Sequence, residues 1–188
     1  MNKISKWVLI LTSLLAIAYV NLNAWQSQRL KIHGEILFLE LAPVDPLSLV
    51  QGQYMRLRFG IEKRYDSTQE DSQIIQNNRG NGLAIINLDS RRIGSLTGLL
   101  SPTQWQQQPH GSDTLLLQVH AQSVDLPRDS TSFGTHSIRI QQNSFLFQEN
   151  TEDRYAHAKY GMFRVHKDGR YVLVDLADEQ LRPLSPQP

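Results

Sequence analysis

The stretch Tyr54-Met55-Arg56-Leu57-Arg58-Phe59-Gly60-Ile61 sets the fold class. Met55, Leu57, Phe59 and Ile61 hold alternate positions, and Tyr54, Arg56, Arg58 and Gly60 fill the places between them. Successive side chains of a strand point to opposite faces, so this period makes one face core and the other solvent. The outer face then carries a phenol and two guanidinium groups. Aromatic and arginine side chains dominate the energetics of protein interfaces, because they combine large area with directional hydrogen bonds. Tyr54, Arg56 and Arg58 are therefore a candidate partner-facing stripe.

The strand signal recurs on both sides. His33 to Leu41 is apolar enough for a strand that ends at Ala42-Pro43. Asp45-Pro46 reads as a helix cap followed by proline at the first helical position, and Gly52 closes that brief turn. Arg64 to Asn81 is polar and reads as a long loop. Gly82–Leu88 and Ile93–Leu99 suit a hairpin around Asp89-Ser90. Leu115–Gln122 alternates again, with Leu115, Leu117, Val119 and Ala121 inward. Ser137–Ile140 and Phe145–Phe147 are shorter strands. A helix is expected from Thr151, with Glu152 and Asp153 at its positive end, Lys159 near the other and Gly161 as its stop. Met162–His166 and Tyr171–Leu176 flank Lys167-Asp168-Gly169, whose Asp-Gly pair is the strongest hairpin signal in the chain. The expected fold is mainly β, an antiparallel barrel or sandwich with one short helix. Residues 25–182 form the β-rich domain, and 183–188 form a disordered tail.

Ahead of that domain, Lys3 and Lys6 precede the apolar run Trp7–Val20, in which only Thr12 and Ser13 are polar. Continued to Ala24, the run gives about 27 Å of helix at ~1.5 Å per residue, close to the ~30 Å hydrocarbon core of a bilayer. Trp7 and Trp25 bracket it as interfacial aromatics do. Residues 7–24 thus read as a transmembrane anchor and 1–6 as a cytoplasmic start, with the domain extracytoplasmic. Lys3 and Lys6 are balanced by Arg29 and Lys31, so the short basic start decides the orientation. The competing reading is a cleaved signal peptide ending at Leu22-Asn23-Ala24, where Leu22 is large for a position that prefers a small residue.

Composition narrows the chemistry. A chain of 188 residues holds one domain and an appendage. Its 19 basic and 18 acidic residues give a net charge of +1 with no basic block, which excludes a nucleic-acid partner. Cysteine is absent, so thiol nucleophiles, zinc-thiolate sites and lipidated cysteine are excluded too. His33, His110, His120, His136, His157 and His166 show no ligand spacing, and neither metal nor cofactor is expected. There is no nucleophile elbow and no phosphate loop. One catalytic pair can be drawn, Ser48 as nucleophile with Lys63 as base, but nothing in the sequence brings them together. The chain therefore reads as non-enzymatic. Trp105 is the exposed aromatic that a small-ligand or envelope-polymer binding module would use.

The segment from Pro43 to Phe59 resembles the GDYXXLXY family of bacterial proteins, named for Gly-Asp-Tyr-x-x-Leu-x-Tyr. Gly52, Tyr54 and Leu57 match, Gln53 replaces the aspartate and Phe59 the final tyrosine, and Asp45-Pro46 is similar to the family's lead-in. Ser144–Glu149, Ala158–Gly161 and the last Asp-Gly hairpin are similar in order to its C-terminal half. The resemblance implies a membrane-anchored protein without an assigned activity, a companion of multi-spanning membrane proteins. Gln53 keeps a hydrogen-bonding role but loses the carboxylate charge. The expectation is a membrane-anchored accessory protein that docks a membrane-protein partner. A ligand-binding module and a Ser-Lys hydrolase are the alternatives.

Overall fold

In a computed structural model the apolar run is part of a longer helix, α1 (Lys3–His33). The structure describes residues 3–42, 50–51, 54–62, 64–66, 69–101, 104, 111, 113–124, 135–149 and 151–186. Residues 7 to 29 of α1 are exposed, Leu11, Leu15 and Val20 among them. Over Trp7–His33 the helix is long and apolar enough to cross a membrane. The polar groups of its apolar part, residues 7 to 24, are bonded within the helix. Thr12 and Ser13 donate to the Leu9 carbonyl, and the Asn21 and Asn23 amides donate to the carbonyls of Ile17 and Tyr19. A helix in lipid has no water to do this for it.

The β-rich domain expected from residue 25, and its first strand expected from His33, do not begin before Glu35, because the helix continues to His33. Arg29 stacks over the Trp25 ring at 4.3 Å, one turn away, and Lys31 and His33 suit the negative end of the helix. Gly34 then turns the chain directly into the first strand. Its N–H donates to the Leu30 carbonyl, and a Cβ there would lie 2.6 Å from that oxygen and 3.0 Å from Arg164 Cβ. Arg164 donates to the Gly34 carbonyl, while Arg92 donates to the Ile36 carbonyl and pairs with Glu35 at 2.8 Å. No linker separates helix from sheet, and two arginines brace the junction.

In chain order the strands are β1 (Glu35–Glu40), β2 (Val50–Gln51), β3 (Tyr54–Arg56), β4 (Arg64–Asp66), β5 (Asn81–Leu88), β6 (Gly94–Leu100), β7 (Thr114–Val124), β8 (Thr135–Arg139), β9 (Ser144–Leu146), β10 (Tyr160–Val165) and β11 (Tyr171–Ala177). They form a five-stranded sheet, β4-β8-β7-β5-β6, and two three-stranded sheets, β1-β10-β11 and β2-β3-β9. Every ladder is antiparallel. A bridge between Phe38 and Ile93 joins β1 to the β5–β6 turn, and one between Leu41 and Phe59 joins the end of β1 to the chain after β3. The inward residues of all three sheets, including Leu39, Met55, Ile86, Leu117, Ile138 and Phe163, merge into one core. The fold is mainly β and antiparallel, as the alternation implied.

Three expectations fail for tertiary reasons. The polar stretch Arg64–Asn81 holds β4 and a helix, α2 (Gln69–Asn77), which buries Ile74 and Ile75 and is followed by a turn that closes at Gly80 with φ +83°. The helix expected from Thr151 to Gly161 shrinks to α3 (Glu152–Tyr155), and the Thr151 hydroxyl donates back to Gln148 instead of capping. Tyr155 is drawn into the core against Phe145 and Phe147. Gly161 lies within β10 and passes under Phe59, where a Cβ would sit 2.7 Å from the ring. Residues 183–186, expected to be disordered, fold back on β11. Pro183 bridges to Ala177, and the Ser185 hydroxyl and N–H both donate to the buried Asp175 carboxylate. A buried carboxylate needs such donors, and the tail supplies them.

Candidate partner-facing surface

The alternation around β3 is realised side chain by side chain. Met55, Leu57 and Phe59 are 5%, 3% and 1% exposed, while Tyr54 is 38% exposed and Arg56 and Arg58 face solvent. The ladder itself stops at Arg56, but the inner face continues. Leu57 N–H donates to Asn143, and Phe59 packs edge-to-face on Phe163 with centroids 5.2 Å apart. Ile61 is only partly buried because a 3-10 turn (Gly60–Glu62) diverts the chain. The Glu62 carboxylate fixes that turn by accepting the N–H groups of Phe59 and Ile140.

On the outer face, Tyr54 stands opposite Leu146 of β9, and Arg56 stands opposite Ser144. Leu146 is 76% exposed. Neither Arg56 nor Arg58 forms an ion pair among the described residues. The surface thus offers an aromatic ring, a bare leucine and two uncommitted guanidinium groups. Leu146 escaped the sequence reading. Its signal was an apolar residue between Phe145 and Phe147, the position that alternation turns outward.

Of the other sequence-derived residues, Asp45, Pro46, Gly52, Gln53, Ser48, Lys63 and Trp105 lie outside the described residues. Among the described residues, no three His, Cys, Asp or Glu side chains gather to hold a metal. His120 is half-buried and contacts the Asn81 side chain.

The β10–β11 turn has the Asp-Gly geometry the sequence announced, with Gly169 at φ +84°. Burial acts to raise the Asp168 carboxyl. Hydrogen bonds from the Arg170 backbone N–H and from the His166 and Arg170 side chains outweigh it, so the group sits below its ordinary value. A depressed folded pKa adds stability above the unfolded value, and that contribution is lost as pH falls through the folded one. The Asp168 carboxyl carbon, followed by NMR, should therefore titrate below an aspartate in an unfolded peptide of the same turn. A midpoint at or above the peptide value would contradict the assigned contacts.

A model of the GDYXXLXY protein family matches residues 16–176, from the second half of the apolar run almost to the end of β11. No curated protein and no solved structure matches the chain.

Proposed function

The chain belongs to the GDYXXLXY protein family, and from that premise we propose that it is a membrane-anchored, non-enzymatic accessory protein that docks a membrane-protein partner through the outer face of β3 and β9. One observation carries this reading. Tyr54, Arg56, Arg58 and Leu146 form an exposed face whose cations have no ion-pair partner among the described residues. Isolated exposed apolar residues are ordinary, but a bare leucine beside a tyrosine and two arginines matches the composition of energetically important interface residues. The braced junction at Gly34 supports a partner in the same membrane. Without a flexible linker, α1 holds the domain at one height and in one orientation. A β-domain used to search solution would gain nothing from that constraint.

The test separates docking from folding. The double variant Tyr54→Ala, Arg56→Ala should unfold within about 0.5 kcal/mol of wild type, as surface changes usually do. It should nevertheless lose a cross-linked integral membrane protein that wild type retains. Leu57→Ala is the folding control, and its cavity should lower stability by about 2–5 kcal/mol. A double variant as unstable as the control would make the face structural. One that folds and keeps its partner would place the docking surface elsewhere.

A further inference from the structure

The last turns of α1 lean against the β10–β11 hairpin and enclose a cleft of about 740 Å³. Trp25, Arg29 and His33 line the helix side, while Gln118, Lys167 and Arg170 lie opposite. We propose that this cleft binds the phosphate headgroup of an anionic phospholipid. The proposal rests on the reading of α1 as a membrane anchor.

Height is the first argument. The apolar run ends at Ala24, and Arg29 lies about 7.5 Å further along a helix that rises ~1.5 Å per residue. Each polar layer of a bilayer is about 5–7 Å thick, so Arg29 reaches the headgroup phosphates while Trp25 sits at the hydrocarbon boundary. Charge is the second argument. Arg29 is stacked on Trp25 and has no carboxylate partner among the described residues, and neither has Lys167. Stacking leaves the edge of a guanidinium free to donate, and its fork matches phosphate oxygens. The carboxylates nearby are already engaged. Glu35 pairs with Arg92, and Asp168 is held by Arg170 and His166. Arg170 also reaches across the cleft to the Gln26 side-chain oxygen at 3.1 Å, which keeps the two walls together. Two uncompensated cations favour a headgroup that brings no cation of its own, which selects an anionic lipid over a zwitterionic one.

The full-length protein in detergent micelles should be titrated with phosphatidylglycerol or phosphatidylcholine, and bound lipid counted by native mass spectrometry. Wild type should prefer phosphatidylglycerol by about thirtyfold, as two basic side chains at a membrane surface imply. Arg29→Gln with Lys167→Gln should abolish the preference. Both side chains are exposed, so the unfolding transition should not move. Equal retention of both lipids, or a preference unchanged in the double variant, would overturn the proposal. Displacement of the lipid by an equal concentration of inorganic phosphate would also overturn it, by making the cleft a soluble-anion site. The same preparations should be washed with alkaline carbonate while still in membranes. Release of wild type would remove the anchor on which the site depends. Retention with no lipid preference would sink the headgroup site alone.

Discussion

Phe59→Ala should destabilise the domain by about 3–5 kcal/mol, the range for deleting a buried aromatic ring. Phe59 is 1% exposed and touches elements far apart in sequence. Its ring packs edge-to-face on Phe163 of β10, and Gly161 passes so close beneath it that a methyl group would not fit. Its backbone bridges to Leu41 at the end of β1, and its N–H is held by Glu62. These backbone ties resist collapse around the missing ring, so most of the cavity should persist. A domain stable by about 5–15 kcal/mol would lose a large share of that margin. The change is read as the shift in urea midpoint of the variant against wild type, at an unchanged slope. A loss below about 1 kcal/mol would mean that the inner face of this strand is not core.

The fold was legible wherever local rules and tertiary packing agree. Alternation placed Met55, Leu57 and Phe59 inward and Tyr54, Arg56 and Arg58 outward, and it did the same for Leu115, Leu117, Val119 and Ala121. Asp168-Gly169 located the last hairpin because a left-handed glycine is a local requirement. It failed where a distant contact decides. Gly161 looked like a helix stop, since its neighbours carry helix-end residues, but its lack of a side chain serves Phe59, a hundred residues earlier. Ile74 and Ile75 show no period within a polar stretch, yet their burial creates α2. The tail looked unstructured until Asp175 and Ser185 met.

The candidate surface divides the same way. Tyr54, Arg56 and Arg58 were visible because they share one strand. Leu146 joins them only through the pairing of β3 with β9. The cleft beside α1 had no local signature at all, because its walls come from segments far apart in the chain and Gln26 meets Arg170 across it.

The proposed function requires that α1 remain attached and hold the domain against the membrane. Residues 7 to 24 contain no charged side chain, and the polar groups Thr12, Ser13, Asn21 and Asn23 are bonded within the helix. The helix also runs unbroken through the alternative cleavage point and is tied to β1 and β10 beyond it. Membranes from cells making the full chain should be washed with alkaline carbonate, and the mass of the retained protein measured. The expected effect is all or none: the intact chain stays wholly with the membrane, and a reporter fused after Pro188 is active outside the cytoplasm. A soluble form beginning near Trp25 would show that α1 is cleaved and that the domain is not anchored by it.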